Sequence, residues 1–339
     1  MAPSLLDDPL LAGVPEHEGY KVLAPAVLVV KIGQGGMGAV YRGRHLTFDV
    51  DLAVKCLKPA LAADDARFVE RFGREAKLAA EISHENLVRV YHVDREARSN
   101  LHYLVMEFVE GETARDRVQR KGPLSEPEAA KILLGAARGL ARAHRHERAI
   151  VHRDVKPENI LISRRGEVKI ADLGIAKAEE GAGMLTSSNV AIGTPLYMAP
   201  EQWDDAHKVG PPADVWSLGA TLYFLLTGEN AIRSGTLQHI CREICDKPFP
   251  DARRKRPKLG DELMTILTRC VARDPAERYP DAGALAEELE RYVAAHQTTL
   301  LDAESGRVRA EALVSPPPTA ALQRIRARLQ VTSVPPTPP

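Results

Sequence analysis

The stretch Val151-His152-Arg153-Asp154-Val-Lys156-Pro-Glu-Asn159-Ile-Leu-Ile-Ser163 decides the reading of this chain, together with Arg-Arg-Gly166-Glu-Val-Lys-Ile-Ala171 and Asp172-Leu173-Gly174 behind it. Two short apolar runs, Ile160–Ile162 and Val168–Ala171, flank a turn with a glycine, which predicts a β-hairpin. Such a hairpin brings Asn159 and Asp172 to one mouth. Asp154, Asn159 and Asp172 then offer hard oxygen ligands for an ion such as Mg²⁺ and a carboxylate near a substrate hydroxyl. Lys156 adds a point charge. Any one of these residues also fits a solvated surface loop.

The order and spacing of the whole string resemble the catalytic loop and metal-binding loop of protein kinases, and Lys-Pro-Glu-Asn159 after Asp154 is similar to the serine/threonine branch. The resemblance implies phosphoryl transfer, a chemistry of positioning and charge neutralisation. It gives Asp154 the substrate hydroxyl, Lys156 the transferring phosphoryl group, and Asn159 and Asp172 the metal. Leu173 stands where many kinases have Phe and keeps an apolar plug behind the metal aspartate.

Upstream, Val27–Ile32 reads as a strand and runs into Gly33-Gln34-Gly35-Gly36-Met37-Gly38-Ala-Val40. By itself this pattern fits a nucleotide loop or an ordinary Gly-rich turn. A Rossmann loop would open a helix, but here Ala39–Arg44 and Leu52–Leu57 read as strands. With Lys55 following, the hairpin reads as a cover for phosphates. The resemblance pairs Lys55 with Glu75, on a helix expected over Ala66–Ile82, and places Lys55 on the α- and β-phosphates. Glu107 and Val109 would bind adenine through backbone groups, with Met106 at the back of the pocket. Val40, Ala53 and Leu161 would sandwich the ring, although all three equally fit plain core positions.

The second half reads as helical. Ser125-Glu-Pro-Glu128 has the form of a capping box opening a helix to about His144. Ala213–Thr227 is apolar on nearly all sides, with Gly228 as its C-cap, so it reads as a buried central post. By resemblance, Asp214 on that post caps the catalytic loop from below. Gly193-Thr194-Pro-Leu-Tyr-Met-Ala199-Pro200-Glu201 resembles the end of an activation segment, with Arg278 as the partner of Glu201. Asp281 is expected to cap a last helix, with Leu285, Leu289 and Val293 on its inner face.

Regulation rests on the same likeness. Arg153 would receive a phosphate from Thr186, Ser187 or Ser188, with Lys177 and Arg71 as helpers. Thr194 would hydrogen-bond near Asp154 and Lys156. The bland alternative is that these hydroxyls are solvated loop residues.

The bulk properties agree. A chain of 339 residues suits a two-lobed domain, and its 46 acidic and 46 basic residues point to neither nucleic acid nor an anionic membrane. Cys56, Cys241, Cys245 and Cys270 form no disulfide framework, which suits a reducing cytoplasm. Cys241 and Cys245 read as buried helix residues. Leu23–Ile32 is too short to cross a membrane, and Asp7 and Asp8 argue against a signal peptide.

The expectation is therefore an α+β, two-lobed protein-kinase-like fold, with a small antiparallel β-sheet lobe carrying one main helix and a larger, mostly helical lobe. Residues 1–19 would be a loose extension and 20–296 the kinase domain, its lobes meeting near 109–110. The tail, 297–339, would be Pro-rich and disordered, with a basic helix conceivable over Ala320–Val331. ATP and Mg²⁺ are the implied cofactors and proteins the implied substrates. A proline-binding partner for the tail and a transient homodimer for trans-autophosphorylation complete the reading. The competing readings are a pseudokinase scaffold and a small-molecule kinase. A chain ending near His296 is expected to remain folded and active.

Overall fold

The computed structural model describes residues 5–59, 66–173, 195–204, 209–233, 235–296 and 317–331. The chain divides into two compact units, one of residues 1–80, 89–108 and 308–339, the other of 81–88 and 109–307.

The first unit is a curled sheet. Its strands are β1 (Glu16–His17), β2 (Tyr20–Leu23), β3 (Ala26–Gln34), β4 (Gly38–His45) and β5 (Asp51–Leu57), then β6 (Val90–Glu96) and β7 (Leu101–Glu107). The order is β1-β2-β3-β4-β5-β7-β6, with every neighbouring pair antiparallel. Helix α1 (Ala66–Glu81) lies between β5 and β6 in sequence, with Phe72, Ala76 and Ala79 buried at helical spacing. The long apolar run Leu23–Ile32 is thereby explained. It is not one strand but the end of β2 and most of β3, paired Val22 to Val27 and Leu23 to Ala26.

The extension before β1 is not loose over its described part. Two short turns, Leu5–Asp7 and Pro9–Leu11, carry Leu11 and Val14 into a core with Leu28, Tyr41, Val54 and Val105. Asp8 accepts a hydrogen bond from the Tyr41 hydroxyl at 2.9 Å and pairs with Lys31 at 2.7 Å. Burial alone would push the Asp8 carboxyl up, but the bonds from Lys31, Tyr41 and the Leu10 N–H outweigh it and hold the carboxyl below its ordinary value. No periodicity announced this segment because tight turns, not a helix or strand, aim its leucines. Leu11 is fully buried, so Leu11→Ala should lower stability by about 2–5 kcal/mol in a urea melt.

The second unit begins with β8 (Gly111–Thr113), α2 (Ala114–Lys121) and α3 (Glu126–His144). It continues through β9 (Ile160–Ser163), β10 (Val168–Ile170) and α4 (Glu201–Asp204). Helices α5 (Pro212–Thr227), α6 (Leu237–Asp246), α7 (Asp261–Cys270) and α8 (Ala282–Ala295) complete it. Helix α5 is buried along Ala213–Thr227, and Gly228 ends it in the left-handed region at φ 75°, as a C-cap glycine does. The capping box expected at Ser125 is half formed. Ser125 Oγ accepts from the Glu128 N–H at 3.4 Å, but the Glu128 carboxylate is drawn to Arg117 and Lys121. The reciprocal box sits instead at Thr113 and Asp116, opening α2. Asp281 caps α8 through the Ala284 N–H.

Part of the tail is also ordered. Helix α9 (Thr319–Val331) packs Leu322 and Ile325 on Val22 and Val27, with Tyr20, Leu46 and Leu329 around them. The expectation of disorder over 297–339 therefore fails for this segment. Three prolines at 316–318 and many arginines obscured a narrow apolar stripe. Residues 297–316 and 332–339 lie outside the described residues.

Candidate active site

The predicted hairpin is formed by β9 and β10, with Ile162 opposite Val168 and Ile160 opposite Ile170. The Ala171 N–H donates to the Asn159 carbonyl at 2.8 Å. This bond closes the hairpin mouth between Asn159 and the residue that precedes Asp172. Asn86 steadies the hairpin from outside, donating through Nδ2 to the Val168 carbonyl at 2.7 Å.

The loop before the hairpin is held from beneath by Asp214. Its carboxylate is fully buried and accepts from the N–H groups of His152 at 2.7 Å and Arg153 at 2.8 Å. His144 Nε2 lies 2.9 Å from the same carboxylate. Burial would raise the Asp214 carboxyl, yet the hydrogen bond from His144 and the N–H donors of the loop prevail and hold it low. The His144 Nδ1 accepts from the Ala282 N–H at 3.2 Å, so a neutral ring protonated on Nε2 satisfies both neighbours. These bonds fix Arg153 at φ 62°, a conformation rare for residues other than glycine.

His152 continues the arrangement. Its Nε2 lies 2.9 Å from the Ala171 carbonyl, and its Nδ1 accepts from the Asp154 N–H at 3.3 Å. One ring thus ties the loop to the strand that delivers Asp172, itself at φ 60°. Asn159 Nδ2 donates to the Asp154 carbonyl at 2.8 Å, which orients the amide so that its oxygen is the group left for a ligand. Lys156 Nζ is 2.8 Å from Asp154 Oδ2. Asp154, Lys156, Asn159 and Asp172 therefore lie within one loop and one hairpin, and Leu173, which follows Asp172, is buried.

Glu201 and Arg278 form the expected pair, bidentate at 2.7 and 2.9 Å. Arg278 also donates to the carbonyls of Ala272, Pro212 and Arg273 and lies over the Trp216 ring. Gln202 was not foreseen. Its Oε1 accepts from the Ala199 N–H at 2.9 Å and its Nε2 donates to the Arg153 carbonyl at 3.2 Å. It couples the Ala-Pro-Glu201 segment to the catalytic loop. His144 was read only as a helix end. A polar side chain on an apolar helix face was the available signal for it; nothing local marked Gln202.

The first unit carries the other candidates. Gly33 and Gln34 end β3, Gly35, Gly36 and Met37 form the turn, and Gly38 opens β4, with the Gly35 N–H donating to the Gly38 carbonyl at 2.8 Å. A Cβ on Gly38 would collide with the Cys56 carbonyl oxygen. That glycine is demanded by its own sheet, not only by a ligand. The register sets Val40 opposite Lys55 and Ala53 opposite Met106, so these four side chains share one face of the sheet. The Glu107 N–H already donates to the Arg89 carbonyl at 2.8 Å. Val109 follows β7, and Leu161 lies on β9 opposite Lys169. Glu75 falls on α1, but its side chain and that of Arg71 are not among those described. Lys177, Thr186, Ser187, Ser188 and Thr194 lie outside the described residues.

Cys241 and Cys245 are half-exposed rather than buried, with sulfurs 3.9 Å apart on α6. No group of three or more metal-ligating side chains of the His, Cys, Asp and Glu types occurs among the described residues.

Residues 27–289 match the protein kinase domain family. The chain belongs to the protein kinase family. As a kinase domain it is 37% identical over 260 residues to the serine/threonine-protein kinase PknL of Mycobacterium tuberculosis, covering 77% of this chain and 63% of PknL. It is 34% identical to the serine/threonine-protein kinase PrkC of Bacillus subtilis, covering 76% of this chain and 39% of PrkC. The chain thus spans less than two thirds of the length of these relatives. The crystal structure of the Mycobacterium tuberculosis PknI kinase domain superposes with a TM-score of 0.62 at 27% identity, over 80% of this chain and 97% of that one. The kinase-like, two-lobed α+β fold is the one these residues adopt, and no described helix is long and apolar enough to cross a membrane.

Proposed function

We propose that this chain phosphorylates serine and threonine side chains of proteins with ATP. The observation that carries the reading is the loop in which Asp154, Lys156, Asn159 and Asp172 converge on one hairpin mouth, braced by Asp214. The named relatives, which are serine/threonine-protein kinases, support it.

In this reading the substrate hydroxyl gives its proton to Asp154 as it attacks the γ-phosphorus in line, and the β–γ oxygen leaves with ADP. Lys156, now on Asp154, swings toward the transferring phosphoryl oxygens when nucleotide is bound. The Gly33–Gly38 hairpin and Lys55, paired with Glu75, serve the phosphates. Backbone groups of Glu107 and Val109 serve adenine in this reading. Met106, Val40, Ala53 and Leu161 give the ring its apolar contacts.

The donor set fits Mg²⁺. Asn159 and Asp172 offer hard oxygens, and the Asn159 amide is turned by its bond to Asp154. When bound, Mg²⁺ neutralises phosphate charge. Asp172→Asn removes one anionic ligand and should weaken MgATP binding at least tenfold in a calorimetric titration while leaving the melting curve close to that of the unaltered chain. Unchanged binding would remove Asp172 from the metal site.

Autophosphorylation at Thr186, Ser187 or Ser188, read by Arg153, belongs to the same proposal, as does a role for Thr194 in catalysis. A cytoplasmic setting agrees with four cysteines that form no disulfide and with the use of ATP.

A further inference from the structure

Helix α9 is unlike a terminal segment that merely happens to be ordered. Its inner stripe, Ala321, Leu322, Ile325 and Leu329, follows helical spacing, and Ile325 is fully buried. The stripe covers Val22 of β2 and Val27 of β3, with Tyr20 and Leu46 at the rim. Charge fixes the axial position. Arg324 lies 3.0 Å from Glu18 and Arg328 lies 3.8 Å from it, on the turn between β1 and β2. The N–H groups of Ala321 and Leu322 donate to the Pro318 carbonyl, which starts the helix at the end of the proline run.

Two features make this contact reversible. A helix of 13 residues is marginal alone in water and needs its docking face to persist. The face is small, and its ion pairs are exposed on the arginine side, so they add little. Docking and helix formation are therefore one event.

The face also has a destination. Strand β3 begins under Ile325 and ends in Gly33 and Gln34 of the Gly-rich hairpin. Between them β3 has two irregularities in its pairing with β4, at Leu28/Val30 and at Lys31/Gly33. Such bulges let a strand bend. A strand with that freedom needs an anchor at its far end if its loop is to keep one position.

We propose that the face formed by Tyr20, Val22, Val27 and Leu46 is a docking site for an amphipathic helix, that α9 is its ligand in cis, and that docking tightens nucleotide binding by anchoring β3. This rests on the reading of the Gly-rich hairpin as an ATP site. Release of α9 leaves the fold in place and frees the loop end of β3.

The test uses the full chain. Hydrogen exchange of segments 20–34 and 317–331 and the Kd for MgATP are measured for the unaltered chain, for Ile325→Asp and for Arg326→Asp on the outer side of α9. In Ile325→Asp, exchange should rise in both segments and the Kd should rise roughly fivefold, the low end of ordinary coupling between sites. Adding a peptide of residues 317–331 should restore slow exchange in 20–34 and the Kd, and Arg326→Asp should change neither readout. Should Ile325→Asp misfold, Glu18→Arg provides the second route: it should weaken docking and binding, and Arg324→Glu with Arg328→Glu should rescue both. Release of α9 with an unchanged Kd overturns the inference while the ATP reading stands. An unaltered chain that binds no MgATP overturns the ATP reading itself.

Discussion

Asp154→Asn is expected to lower turnover by roughly 10²–10⁴, the usual cost of losing a general base, while leaving MgATP binding nearly intact. The geometry separates the two effects. Asp154 is held through its backbone by His152 and Asn159, and those bonds do not depend on its carboxylate. An amide of the same shape keeps an acceptor toward Lys156, which now lies 2.8 Å away, but it cannot take a proton at neutral pH. Stopped-flow or steady-state phosphorylation of a generic protein, alongside nucleotide titration, checks both halves. A wild-type rate would remove Asp154 from the reaction.

The second large effect is expected at Asp214, which touches no reacting atom. Its two carboxylate oxygens serve the His152 N–H, the Arg153 N–H and His144 Nε2. In Asp214→Asn one oxygen becomes an NH₂ that faces at least one of these donors, in a site without solvent. A buried donor left without an acceptor costs about 1–3 kcal/mol, and the mutual repulsion of facing donors adds to it. Chemical denaturation should show a loss of about 3–5 kcal/mol, the range for a broken buried polar pair. Turnover should also fall, because the Asp214 carboxylate accepts the Arg153 N–H and so supports its left-handed conformation beside Asp154.

The same residue gives a pH dependence. The folded Asp214 carboxyl titrates below its ordinary value. Its stabilising contribution is therefore complete above the unfolded carboxylate range, near about pH 4, and is lost as pH falls toward the lower folded value. The Asp214→Asn chain should be less stable at neutral pH and lose less of its remaining stability on acidification. An acid limb identical to that of the unaltered chain would show that other carboxylates govern it.

The legible part of this molecule is the part in which side-chain chemistry and local geometry coincide. The hairpin at Ile160–Ile170, the Lys55 strand and the α5 post each carry a local signal, such as alternation or an apolar run, whereas the Glu201–Arg278 pair is legible only through the resemblance to protein kinases. What escaped reading depends on distant partners. Leu11 and Val14 are aimed by tight turns into a sheet that starts later in the chain. Leu322 and Ile325 find Val22 and Val27 some 300 residues back in the sequence. Gln202 and His144 are ordinary polar residues on helices until Arg153 and Asp214 stand next to them. The half-formed box at Ser125 shows the converse, because a local signal is overruled when Arg117 and Lys121 claim Glu128.

In the proposed reaction this chain moves the γ-phosphoryl group of ATP to serine or threonine hydroxyls. The most direct measurement is incubation of the purified chain with γ-labelled ATP, Mg²⁺ and a generic protein substrate, followed by mass-spectrometric mapping of the modified residues. Label is expected on serine and threonine and should be abolished in Asp154→Asn. Label confined to water or to a small molecule, or transfer that survives Asp154→Asn unchanged, would contradict it.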